Sequence, residues 1–201
     1  MLFHETSYRS EVSPVETSLQ QVTRWRFTVR DYHRMGEAGI LHEDDRVKLI
    51  EGEIVEMAAI GTRHFSCVNR LTRMLVMGVG DAAVVSVQNP VRLNEHTEPQ
   101  PDITVIRPRD YTESLPVPED VLLLIEVSDT TLPYDRNVKL PLYARAGIGE
   151  VWIVNLPAKT IEQYADPSSD GYRRVDHKRG GQKLLPAALP DLKPTVDEIL
   201  G

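Results

Sequence analysis

From residue 28 onward, apolar positions fall into short runs with distinct periods. Val29, Tyr32 and Met35 recur at steps of three, so the spacing predicts a helix capped by Thr28 and closing near Gly36 and Gly39. Arg46 to Met57 alternates about Glu51-Gly52, the pattern of a hairpin or bulged strand pair. Phe65, Val68, Leu71, Leu75 and Val79 repeat at three and four, which predicts a second helix over Arg63–Val79, stopped by Gly78 and Gly80. Short strands are expected at Val84–Gln88, Val91–Leu93 and Asp102–Ile106, followed by a proline-bearing loop over 107–120. Val121–Val127 and Val151–Val154 are apolar on both alternating faces, as strands covered on both sides are. Between them Asp135–Gly147 reads as a helix, irregular near Pro141 and stopped at Gly147. Strand, helix and strand at this spacing make a right-handed crossover. A hairpin, Thr160–Tyr164 with Gly171–Val175, and a terminal helix over Thr195–Leu200 complete the pattern. The fold class is α/β: a mixed sheet with helices on its faces.

Composition narrows this without redirecting it. The chain has 201 residues, 41% hydrophobic and 26% charged, the profile of one globular domain. The polar, aperiodic start is expected to be an arm over residues 1–24, with a single domain over 25–201. A lone cysteine, Cys67, excludes a disulfide scaffold. The longest apolar run, Val121–Ile125, falls far short of the roughly 20 residues of a membrane span. Met1–Glu5 lacks the basic and apolar regions of a secretory signal, so a cytoplasmic location is expected. The 30 acids against 23 bases give a formal charge of −7, weak evidence against coating nucleic acid by bulk charge. Phosphate-binding glycine loops, a G-x-S-x-G elbow and an H-E-x-x-H pair are all absent from the sequence, which removes the usual support for P-loop, serine-hydrolase and zincin chemistry.

Three side chains stand out. Glu126 interrupts an apolar strand on the face of Leu122 and Leu124, where an unpaired carboxylate costs several kcal/mol; the plainer reading is a solvated strand end. Asp102 opens a strand after Pro99-Gln100-Pro101, alone an ordinary turn aspartate, but able to join Glu126 from an adjacent strand around a hard divalent cation. Lys139 begins the crossover helix, where an ammonium can meet a phosphate oxygen or acidify an attacking water; by position alone it is a surface lysine. Asp135 and Arg136 read as capping and salt-bridge residues. His64 and Cys67 make a weak zinc pair without a second pair to match. Arg63, Arg70 and Arg73 on the second helix are candidate DNA contacts, and Arg173, Arg174, Lys178, Arg179 and Lys183 form a second basic group, read first as a solvated face.

Pro101-Asp102, then Glu126-Val127-Ser128, resembles the Pro-Asp … (Asp/Glu)-x-Lys signature of restriction-endonuclease-like nucleases. The runs 98–102, 125–130, 134–140 and 142–152, with Leu49–Glu53 and His64, are together similar to the Uma-two family of restriction endonucleases, abundant in cyanobacteria. The resemblance implies an αβββαβ nuclease core and Mg²⁺- or Mn²⁺-dependent hydrolysis of phosphodiester bonds in DNA. Asp102 and Glu126 would hold the metal, Lys139 would be the catalytic lysine, and Glu51, His64 and Ser128 would support them. A homodimer is expected from the need to cut two strands. Two positions depart from the family pattern: Ser128 stands where the superfamily usually has its lysine, and Lys48 stands where the family usually has a glutamate. They motivate an alternative, a nuclease fold that has lost catalysis and serves as a binding or regulatory module.

Overall fold

The computed structural model describes residues 23–42 and 44–201; the arm expected over 1–24 lies outside them except for its last two residues. Helix α1, Val29–Glu37, starts where the sequence predicts it: the Thr28 side chain accepts from the Asp31 N–H, and the Asp31 carboxylate accepts from the Thr28 N–H. Strands β1, Val47–Ile50, and β2, Glu53–Glu56, form a hairpin whose two-residue turn puts Glu51 at φ 48° and Gly52 at φ 78°. Positive φ at both positions is the primed turn that matches strand twist. Helix α2 runs Thr62–Val79 straight through Gly78 and ends at Gly80, φ 50°.

The main sheet is β3-β4-β5-β6-β7-β8 in both sequence and space. Its strands are β3 Val84–Val87, β4 Ile103–Ile106, β5 Val121–Ser128, β6 Glu150–Asn155, β7 Thr160–Ser168 and β8 Gly171–Lys178. Only β5 and β6 run parallel, so the sheet is mixed and the crossover lies between them. The expected α/β class with helices on a mixed sheet is what the chain adopts. On one face Ile103, Val105, Leu123, Ile125, Val127, Trp152 and Val154 pack with Leu71 and Leu75 of α2 and with Val196 and Ile199 of helix α5, Val196–Leu200. On the other, Leu124, Val151 and Ile153 pack with Leu142 and Tyr143. Each fully buried aliphatic side chain contributes about 1.5–3 kcal/mol.

The crossover departs from a single helix over 135–147. It opens as α3, Leu132–Tyr134, widens into a π turn over Asp135–Lys139, and closes as α4, Leu140–Arg145. Pro141 lacks the N–H that would close a regular turn there. Leu140 instead donates back to Asp135. At the far end, Ile148 donates to Tyr143 and Gly147, at φ 82°, donates to Ala144, so Gly147 terminates the helix as expected. Val91–Leu93 is not a strand. Val91 and Leu93 are buried, but their N–H groups are used within the loop, by Pro99 and Thr97. The β7–β8 hairpin is longer than predicted and turns at Ser169-Asp170. Pro167 is tolerated because the β6 pairing ends at Ala165. Among the described residues, no helix is long and apolar enough to cross a membrane.

Candidate active site

Ile103 faces Ile125 in the β4–β5 register, so the next pair outward is Asp102 and Glu126. Both stand at the strand ends from which the crossover departs, where α/β sheets place their sites. Glu126 is 1% exposed on the face of Leu124, and it is not solvated. Lys139 Nζ lies 2.8 Å from its Oε2, and Tyr143 Oη donates to its Oε1 at 2.5 Å. The π turn and α4 set this up, because Lys139 and Tyr143, four apart, share one helical face.

Asp135 is a full member of the cluster, buried at 2% exposure. Ser128 Oγ and Thr131 Oγ1 donate to its Oδ2 at 2.7 and 2.6 Å, and its Oδ1 is 3.0 Å from Lys139 Nζ. Reading it as a cap missed this role; the spacing Asp135–Lys139 on a turn beside Glu126 was the available signal. Arg136, by contrast, is the salt-bridge residue expected, paired with Glu162. Asp102 is held by His64, whose Nε2 is 2.9 Å from Oδ1, and by the Val127 N–H, 2.8 Å from Oδ2. Lys48, also buried, places its ammonium 4.9 Å from the Tyr134 ring centre.

Lys48, His64, Asp102, Asp135 and Lys139 line one cleft of about 560 Å³. A hollow of about 650 Å³ beside α1, lined by Arg30, His33, Arg34 and Arg92, shares no residue with it and gathers no such cluster. Burial pushes the Glu126 carboxyl up to about 7, against the pull of Lys139. Lys139 suffers the opposite burial effect, yet Glu126, Asp135 and Asp102 raise it above the ordinary lysine range, so it stays charged. The hydrogen bond to Asp102 raises His64. Burial works to raise Asp102, but the His64 contact outweighs it and holds the carboxyl low. Burial, then the neighbouring Lys139, lowers Lys48 to about 8.

Other candidates sit elsewhere. Glu51 is exposed in the hairpin turn, bound to Arg145 at 2.8 Å, and does not line the cleft. Its side chain follows the primed turn outward. Arg63, at the cleft end of α2, pairs with Asp129. Arg70 turns to the C-terminus, donating to Ile199 O at 2.8 Å, and Arg73 is exposed on the helix. Cys67 is buried, with Sγ 3.7 Å from Ile199 O, a packing role. Arg173 and Arg174 lie on β8, an exposed edge strand, where charge discourages pairing with other chains.

The fold is of the restriction-endonuclease-like class, and it sets Asp102 and Glu126 at the ends of two adjacent strands, with Lys139 on the crossover that follows. The chain belongs to the Uma2 family, described as "putative restriction endonuclease", which matches residues 29–197. It is similar in fold to a crystal structure described as a "putative nuclease belonging to DUF820" from Anabaena variabilis ATCC 29413. The TM-score is 0.66 at 14% identity, covering 87% of this chain and 97% of that one. No curated protein matches the chain.

Proposed function

We propose that this protein is a nuclease that hydrolyses phosphodiester bonds in DNA with a divalent cation, Mg²⁺ or Mn²⁺. The observation that carries the reading is that Asp102 and Lys139 line one cleft, with Glu126 buried directly behind it, 2.8 Å from Lys139. The donor chemistry fits a hard cation. Mg²⁺ takes one or two carboxylates and completes its octahedron with waters and substrate phosphates, at about 2.0–2.1 Å. Asp102 lines the cleft and Glu126 stands beside it in the register. Among the described residues no three His, Cys, Asp or Glu side chains gather to cage a metal, and Asp102 and Glu126 are the two carboxylates that would hold an ion there. When bound, such an ion activates water and offsets charge on the phosphate.

The chain's own residues prepare that chemistry. His64 and the Val127 N–H fix the Asp102 carboxylate in its ionised form. Tyr143 and Lys139 orient Glu126, and Asp135, tied to Ser128 and Thr131, holds Lys139 from the other side. Lys139 thus offers a fixed positive charge to a phosphate at the cleft. The test is plasmid and linear DNA cleavage in Mg²⁺ by Asp102→Ala and Glu126→Gln. Each is expected to lower the rate by roughly 10²-fold or more, the scale of lost electrostatic stabilisation, with circular dichroism unchanged. Wild-type rates in both variants refute the assignment.

The buried Lys48 and the serine at position 128 favour a second reading, a binding or regulatory module that keeps the fold without catalysis. Calorimetric titration with Mn²⁺ separates the two: heat of binding that disappears in Asp102→Ala supports the nuclease, and no binding at millimolar ion supports the module.

A further inference from the structure

Lysine is almost never fully buried without a partner. Lys48, on β1, is 6% exposed, yet among the described residues its ammonium forms no hydrogen bond and no ion pair. Its one specific contact is the Tyr134 ring, at 4.9 Å. Lys139, the other lysine of the cleft, is satisfied by Glu126 and Asp135 at 2.8 and 3.0 Å. The cleft therefore contains one lysine already committed to carboxylates and one held in place by an aromatic face with its donors unspent.

We propose that Lys48 is a substrate-binding residue that takes a non-bridging oxygen of a DNA phosphate and seats the strand in the cleft before, and independently of, any divalent cation. The inference rests on the nuclease reading for the identity of the anion. A free ammonium repels a metal ion and attracts an anion, and a phosphodiester supplies unhindered oxygens of the right charge. The Tyr134 ring fixes the ammonium without neutralising it, so no carboxylate must be displaced when the phosphate arrives. At neutral pH the lysine is still protonated, because its lowered value of about 8 remains above 7.

The experiment is fluorescence anisotropy of a labelled DNA duplex with full-length protein in EDTA, repeated over a series of NaCl concentrations. Lys48→Met is expected to weaken binding roughly tenfold, the scale of one charge-assisted contact. It is also expected to reduce the slope of log affinity against log salt by about one. Lys48→Arg is expected to retain most of both. Thermal melting provides the readout that a merely structural lysine would move the other way: replacing an unpaired buried charge with a matching apolar chain should leave the midpoint unchanged or raised. Lys48→Gln serves in place of the methionine variant if that one is insoluble. Equal affinity and slope in wild type and variant, or no metal-free binding by wild type, overturns the proposal. Cleavage by Asp102→Ala, measured in parallel, reports on the nuclease reading separately. If that variant is inactive while Lys48→Met binds like wild type, the nuclease stands and the Lys48 role falls.

Discussion

Lys139 is the cation for two buried carboxylates at once, and this makes it the side chain whose loss should cost most. Lys139→Met leaves Glu126 and Asp135 facing each other without compensation, and urea denaturation is expected to show a loss of about 3–5 kcal/mol. Combining it with Glu126→Gln should recover a good part of that loss; a single-variant cost below about 1 kcal/mol would contradict the buried pairing. Lys48 behaves oppositely. The folded chain releases its proton near 8 and an unfolded lysine near 10.5, so between those values the unfolded chain binds more protons and stability rises with pH. The rise should appear in the difference between wild type and Lys48→Met, measured from pH 7 to 10.5, and a flat difference would count against the burial of the charge. Glu126 was legible in the sequence because a carboxylate in an apolar strand has few explanations. Tyr143 was not: its hydroxyl partner lies on another element, and in sequence it is one more apolar position of α4.

At the scale of elements, the β1–β2 turn is a tightly constrained piece of backbone. Gly52 sits at φ 78°, and a Cβ there would lie 2.7 Å from the Arg26 Cβ. Gly52→Ala is therefore expected to destabilise by about 1–3 kcal/mol, combining conformational strain with a clash against backbone-proximal atoms. At this chain length that lowers the melting midpoint by about 2–4 °C per kcal/mol. A midpoint within 1 °C of wild type, on the same scale, would mean that the 26–28 segment gives way instead. The hairpin and both long helices were readable from period and glycine placement. The π turn was only half readable: Pro141 announces an irregularity, but which residues the widened turn presents depends on the strand beneath it. Val91–Leu93 misled because burial by loop packing gives the same apolar signature as burial in a ladder.

For the whole molecule, the C-terminus closes the core beneath α2. Val196 and Ile199 are both fully buried, and Ile199 O accepts from Arg70. Removing residues 196–201 is expected to cost about 3–6 kcal/mol from those two side chains alone. A fall in melting midpoint of about 10 °C or more should follow, and retention of the wild-type midpoint would show that the segment is dispensable. This arrangement also explains why Arg70 looked like a DNA contact: one helix face carries basic residues, and only the folded chain reveals that one of them serves the terminus. The charge of −7 was a poor guide to the site for a related reason. Asp102 is spent locally against His64, and Glu126 and Asp135 against Lys139, while Lys48 adds an unpaired positive charge, so the cleft is far less acidic than the total suggests.

Seating the Lys139 ammonium on a wide helical turn instead of on the strand has a consequence for how such chains diverge. On a strand, a lysine two positions from its glutamate is locked by the alternation of side chains, and any one-residue slip turns it to the opposite face. On the turn between Leu132 and Arg145 the reach is set by helix packing, and a residue can be gained or lost in the preceding loop without moving Glu126. Ser128 is then free to serve Asp135. A fixed three-residue signature would overlook this site, whereas a distance criterion between a buried strand carboxylate and an ammonium on the next helix would recover it.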